Sequence, residues 1–358
     1  MIRPHAAGTA VLPDAASVTG GHALLAHPSG ARHALLRDGD ALVLLDLVEA
    51  FGGREAVLAR VPNPWPGHRL PAGAATEGGD LVVLPGHRSV RALEADGRTR
   101  WEHRHGCRAD GPHRHEGEEP CSGRSWHGSC GMSPDGTVVW AHVLPDLDHS
   151  DPDADSHEEW LVLDATDGAV LGRARIEGGS QGSHHLPHPD DGLMLLATGQ
   201  GQDGSPAYLG HWDGTALTVR ELGDGFRIPT SVHPSGRAFL STPHSGGPLH
   251  LHRLPDGTAL TGRHADDLST GPGHRPRWDY VAGFVDPHTV VAGTYDLPRH
   301  DDTRRHWLLD ALTLRPLGRI DYPVPVAGHP VGLGDGSWVT AAADGTALHR
   351  WSRTSGSG

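Results

Sequence analysis

Residues 160–173 read Trp160-Leu161-Val162-Leu163-Asp164-Ala165-Thr166-Asp167-Gly168-Ala169-Val170-Leu171-Gly172-Arg173. An apolar run of strand length enters an Asp-Gly turn, and a second short run leaves it. Asp-Gly tolerates the positive φ that a tight hairpin requires, so the stretch predicts two antiparallel strands. Trp307-Leu308-Leu309-Asp310-Ala311, leading to Leu317-Gly318-Arg319, repeats the pattern near the far end of the chain. Further Asp-Gly turns occur at Asp96-Gly97, Asp135-Gly136, Asp213-Gly214, Asp256-Gly257 and Asp344-Gly345. No segment sustains a 3.6-residue apolar period, and Pro recurs too often for long helices. The pattern predicts an all-β chain.

A second marker repeats at a longer period. His27-Pro28-Ser29-Gly30, Ser133-Pro134-Asp135-Gly136, His188-Pro189-Asp190-Asp191-Gly192 and His233-Pro234-Ser235-Gly236 each precede an apolar strand. Looser forms stand at Gly78-Gly79-Asp80, Asp286-Pro287-His288-Thr289 and Gly334-Asp335-Gly336. Seven markers about 45 to 55 residues apart match the repeat length of propeller blades with four strands each. The expectation is one domain over 1–353, a seven-bladed β-propeller of four-stranded antiparallel blades. The blades fall near 18–61, 66–105, 124–177, 181–222, 226–265, 277–320 and 325–353. The last blade lacks an outer strand, and Thr9-Ala10-Val11-Leu12 is a spare one. The N-terminal strand, residues 8–13, is therefore expected to close the ring and remove its unpaired edge. Residues 354–358 read as a flexible tail.

The tracts Leu163-Asp164-Ala165-Thr166-Asp167-Gly168 and Ala92-Leu93-Glu94-Ala95-Asp96-Gly97 resemble the third-to-fourth-strand hairpin of bacterial YVTN-type and quinoprotein-type β-propellers. The resemblance runs through nearly the whole chain, and what it implies is architecture. Trp212-Asp213 occurs once and lacks the Gly-His partner of the WD40 repeat.

Composition narrows the class of function. All 30 cationic Lys or Arg residues are Arg, with one Asn and four Ile, a high-GC signature. The net charge of −14 argues against nucleic acid and against an anionic membrane surface. No apolar run has the length of a membrane helix, and the first residues show no secretory h-region. Three Cys do not make a disulfide framework. A cytoplasmic globular protein is expected.

Histidine is in excess of codon bias, with 29 copies. Several copies stand where the inner strands of blades begin: Gly20-Gly21-His22, Gly67-His68-Arg69, Trp126-His127-Gly128, Ser183-His184-His185 and Ala327-Gly328-His329. The two remaining blades begin with Arg227 and with Trp278-Asp279-Tyr280. Beside small residues, imidazoles can converge on the axis, and imidazole binds Zn, Cu or Fe. His22, His68, His127, His184, His185 and His329 are thus candidate ligands for a divalent transition metal. Asp279 and Tyr280 are candidate acid/base groups, and Arg227 a holder of negative charge. The arrangement resembles the axial metal sites of carotenoid-cleaving oxygenases and nitrous oxide reductase. The alternative is a channel of solvated histidines.

Three functions follow: a metal-dependent enzyme acting on a small-molecule substrate, a WD40-like scaffold for a small partner protein, or a lyase-like propeller without a transition metal. Residues 103–130, with Cys107, Cys121, Cys130 and several His, read as a Zn or Cu site, a lid over the channel mouth or a polar surface connection, and the absence of Cys-x-x-Cys spacing favours the last. The acidic run 146–159 reads as an insertion. Gly178-Gly179-Ser180-Gln181-Gly182 and Gly199-Gln200-Gly201-Gln202-Asp203-Gly204 match hydrolase and dinucleotide patterns, but no helix follows either. The ten Trp read as blade-packing core.

Overall fold

In a computed structural model, residues 1–12, 22–25, 32–65, 73–106, 128–145, 157–177, 182–201, 204–223, 225, 227–243, 246–268, 275–296 and 304–353 are described; for 22–25 this covers the backbone only. Among the described residues, twenty-eight strands form seven antiparallel sheets of four. Six sheets are consecutive in sequence: blade 1 spans 22–62, blade 2 74–104, blade 3 129–177, blade 4 183–221, blade 5 227–263 and blade 6 276–319. Blade 7 takes its three inner strands from 326–353 and its outer strand, Pro4–Val11, from the N-terminus. The predicted closure is therefore present, as a strand beginning four residues earlier than the sequence indicated. The first strands of blades 2 to 7 lie one against the next. The fold is a seven-bladed β-propeller.

Each interface between blades holds its own apolar cluster, which is why the apolar runs recur once per repeat. Leu161 and Leu163 pack toward blade 2, whereas Trp160 and Val162 pack toward blade 4. Middle strands are covered on both faces, so Val138–Val143 is buried at every position. Outer strands have one open face; Thr99–Arg104 buries Trp101 and exposes most of the rest. The ring closes through Ala10, Leu12, Ala34, Leu36, Val339 and Leu348, which join blade 7 to blade 1. Trp140, Trp160, Trp338 and Trp351 are fully buried, and truncating such a residue costs about 3–5 kcal/mol.

Two details depart from the sequence reading. Trp160 and Trp307 are not equivalent. Counted from the turn, Asp164 pairs with Val138 and Asp310 with Thr289, so Trp160 stands four residues before its turn Asp and Trp307 three. Strand side chains alternate, and the two indoles therefore face opposite neighbouring blades. A short helix, Leu47–Phe51, also interrupts the β pattern. Asp46 caps it by accepting from the N–H groups of Val48 and Glu49, and Leu47 and Phe51 enter the closing cluster.

The His-Pro turns do more than reverse the chain. His188 Nε2 donates to the carbonyl of Gly236, 2.8 Å away in the next blade's turn. His233 Nε2 does the same to Pro287 at 3.1 Å. In both, Nδ1 accepts from the backbone N–H two residues on, which fixes the tautomer. These histidines staple neighbouring blades on the face opposite the one described next.

Candidate functional site

Antiparallel order places the start of every inner strand on one face of the ring, with the connections between second and third strands and those between blades. The predicted Arg227, Asp279, Tyr280, His184, His185 and His329 all belong to inner strands near that face. His68, His127, Cys107 and Cys121 lie outside the described residues, as does the side chain of His22.

The local backbone decides where these side chains go. In blade 6, Trp278 pairs with Thr294 and Ala282 with Ala292, so Asp279, Tyr280 and Val281 stand opposite the single residue Gly293. In blade 7, Ala327 pairs with Ala341 and Val331 with Val339, so Gly328, His329 and Pro330 stand opposite Thr340. Bulges re-aim side chains, and here two adjacent blades bulge at the same level. Gly328 sits at φ 76°, a conformation that favours glycine.

The bulges bring His329 Nδ1 to 2.8 Å from Asp279 Oδ2. Arg304 Nε lies 3.3 Å from the same oxygen, and the N–H of Tyr280 donates to Oδ1 at 3.0 Å. Burial pushes the Asp279 carboxyl up. The hydrogen bond and charge of His329, the Tyr280 N–H and Arg304 together outweigh it and hold Asp279 below the ordinary carboxylate range. The Asp279 side chain is fully buried, whereas that of His329 is 34% exposed. His329 Nε2 has no partner among the described residues. Tyr280 points the other way and is exposed; Arg227 is half-buried.

A further set of residues holds the blade 7 bulge. Trp338 Nε1 donates to the Tyr322 hydroxyl at 3.0 Å, Tyr322 lies 3.0 Å from His306 Nδ1, and His306 Nε2 lies 3.3 Å from the Gly328 carbonyl. An indole only donates and a carbonyl only accepts. The chain therefore runs Trp338 to Tyr322 to His306 to Gly328, with His306 neutral. Burial pushes His306 down to about 4, in agreement.

The other predicted histidines are separately engaged. His184 Nε2 donates to the Pro229 carbonyl at 2.8 Å. His185 has both nitrogens occupied, Nδ1 by Ser129 Oγ at 2.9 Å and Nε2 by the indole of Trp160 at 2.9 Å. Among the described residues, no group of three or more His, Cys, Asp or Glu side chains gathers as a metal site. Cys130 is a core residue between blades 2 and 3 whose thiol is pushed up by burial. Sequence reasoning missed Arg304 and His306, which flank the start of a third strand. Their only signal is position, since the register that exposes the bulges does not show in residue types.

The chain matches no protein-family model and no curated protein. Solved structures share its fold at low identity. The β-propeller domain of Cps50 (Swd1) from Myceliophteria thermophila has a TM-score of 0.58 at 11% identity, covering 98% of this chain and 100% of that one. U3-55K has a TM-score of 0.56 at 14% identity, covering 98% and 99%. Hydrazine synthase from Kuenenia stuttgartiensis has a TM-score of 0.54 at 12% identity, covering 92% and 94%. The likeness is one of architecture. No helix among the described residues is long and apolar enough to cross a membrane.

Proposed function

We propose that the protein is an enzyme that acts on a small anionic molecule at this mouth of the channel by general acid–base chemistry. One observation carries the reading: paired bulges in adjacent blades set a partly exposed His329 on a fully buried, ionised Asp279. An imidazole held through Nδ1 by a carboxylate has a fixed tautomer and presents Nε2 for proton transfer. Asp279 orients the ring. Arg304, whose Nε is tied to Asp279, offers its terminal nitrogens to negative charge on the substrate. Arg227 stands at the neighbouring strand entry as a further contact.

Ligand-detected NMR with a panel of small carboxylates and phosphate esters tests this. Compounds that bind the wild type are expected to lose at least ~10-fold in affinity for Arg304→Gln and for His329→Gln, about 1.4 kcal/mol. Equal binding to both variants defeats the reading. A second reading, a divalent transition metal (Cu, Fe or Zn), is favoured by His184 Nδ1 and His329 Nε2, which both lack partners among the described residues. His22, His68 or His127 would have to complete such a site. Elemental analysis of the wild type and of His184→Ala decides: metal near one equivalent that the variant loses supports it.

A further inference from the structure

Blades 3 and 4 meet at the same mouth through a second, unrelated chain of polar groups. Glu158 is the second residue of the third strand of blade 3, His157–Asp164, and its Oε2 lies 2.9 Å from His142 Nε2. His142 Nδ1 lies 2.8 Å from the hydroxyl of Ser183, the first residue of the inner strand of blade 4. Ser183 Oγ lies 2.7 Å from Ser129 Oγ, and Ser129 Oγ lies 2.9 Å from His185 Nδ1. Trp160 Nε1 closes the series by donating to His185 Nε2 at 2.9 Å.

The indole fixes the polarity. It can only donate, so His185 Nε2 is unprotonated and the His185 proton is on Nδ1, which donates to Ser129. Burial pushes His185 well below the ordinary imidazole range, which keeps it neutral. Ser129 is fully buried, and among the described residues its hydroxyl meets the side chains of Ser183 and His185. Having accepted from His185, it must give its own proton to Ser183 or leave a buried hydroxyl unsatisfied. Ser183 then directs its proton at His142 Nδ1, which leaves the His142 proton on Nε2, 2.9 Å from the buried Glu158 carboxylate in a close contact outside hydrogen-bond alignment. A hydroxyl aimed at an unprotonated imidazole nitrogen, with a carboxylate behind the ring, is the arrangement of an activated nucleophile. The imidazole is used with its nitrogens exchanged relative to the usual triad, and either nitrogen is chemically competent.

Access distinguishes Ser183 from Ser129. Ser183 is half-buried at the strand entry, and the residue before it, Gly182, has open space where a side chain would project. His142 and Glu158 are buried behind it.

We propose that Ser183 is a nucleophile for acyl transfer, with His142 as its general base and Glu158 as the residue that positions His142; the substrates are small carboxylic esters. Ser183 Oγ bonds to the ester carbonyl carbon while its proton passes to His142 Nδ1. The carbon–alkoxide bond breaks, and the alcohol leaves with that proton. Water then attacks the acyl-serine, giving up a proton to His142, and the acid departs as Ser183 recovers it. No oxidant, reductant or metal enters the balance. The proposal is independent of the Asp279–His329 pair.

The test uses the full-length protein with a fluorophosphonate probe and p-nitrophenyl acetate. The wild type is expected to label at Ser183, located by peptide mass spectrometry, and to release p-nitrophenol with a burst. Ser183→Ala should abolish both; it melts somewhat below the wild type, because Ser129 and His142 lose a buried partner, and its circular dichroism should stay that of the wild type. His142→Gln should lower hydrolysis by ~1000-fold or more, and Glu158→Gln by less, with a shifted pH profile. No labelling of the wild type, labelling at another residue, or hydrolysis that survives Ser183→Ala overturns the proposal. The wild-type labelling site decides even if a variant fails to fold.

Discussion

His306 gives its Nε2 proton to the carbonyl of Gly328, 3.3 Å away, and so ties a buried neutral imidazole to the bulge that presents His329. The same burial that makes the contact possible pushes His306 down to about 4, and His105, buried beside Gly106, is pushed down to about 4 as well.

Both shifts predict acid lability. A histidine whose folded pKa lies below its unfolded value near 6.5 favours the native state above that value. As the pH falls from about 6.5 toward 4 the unfolded chain takes up protons first, and the contribution is lost. Each group then removes up to about 3 kcal/mol by pH 4. Urea denaturation between pH 8 and 4 should show this decline. His306→Gln, which can still donate to Gly328 and accept from Tyr322, should make the slope shallower. An unchanged slope would rule His306 out as a contributor.

Asp279 predicts the opposite partner dependence. Its carboxyl is held low, so its stabilising contribution is complete above about pH 4 and is lost only as the pH falls through the folded value. Asp279→Asn keeps the shape but removes the charge beside His329 and Arg304. At pH 7 it should cost about 1–3 kcal/mol, the usual cost of leaving buried hydrogen-bonding groups unmatched. The difference from wild type should shrink on acidification toward pH 3. A gap that stays constant down to that pH would mean that charge is not what Asp279 supplies.

The architecture was readable because it is written as a repeat. Asp-Gly turns and His-Pro markers set the strand lengths, and the missing outer strand after Trp338 implied that Thr9–Leu12 returns to fill it. Residue types also named His329 and Asp279. What they could not show was that these two meet. That depends on two bulges, and a bulge is a property of pairing register, invisible in a single strand's residues. The same limit applied to Trp160 and Trp307, which look alike in sequence but face opposite blades because one residue separates their registers. His142, Glu158 and Ser183 come from three different strands, and Ser183 follows His142 by 41 residues. No local motif marks them.

Close approach of blades 6 and 7 gives a third prediction. A Cβ on Gly332 would stand 2.3 Å from the carbonyl oxygen of Phe284 and 2.6 Å from its carbon. Both are backbone atoms, which cannot rotate away. Gly332→Ala must therefore separate two inner strands, and overpacking of this kind costs about 1–3 kcal/mol. Thermal unfolding should show the loss. Because the displaced strand carries His329, ligand binding at the mouth should weaken in the same variant. A melting temperature equal to wild type would show that the strands separate freely.

Closure of the ring gives the last prediction. Pro4–Val11 pairs along Ala347–Arg353, Leu12 N–H donates to the Thr346 carbonyl at 2.9 Å, and Ala10 and Leu12 are buried between blades 7 and 1. Removing residues 1–12 takes away this strand and re-exposes those side chains, roughly 2–3 kcal/mol by apolar area alone. It also leaves Ala347–Arg353 as an unpaired edge, which invites pairing with another chain. The truncated protein should unfold at lower denaturant and associate as its concentration rises. A synthetic peptide of residues 1–12 should reverse both effects in proportion to its concentration, because it binds only the folded ring. Truncation without loss of stability would mean that the clusters between blades hold the ring shut by themselves. Truncation with loss but without rescue at millimolar peptide would place the effect in the covalent tether, which supplies an effective concentration of that order.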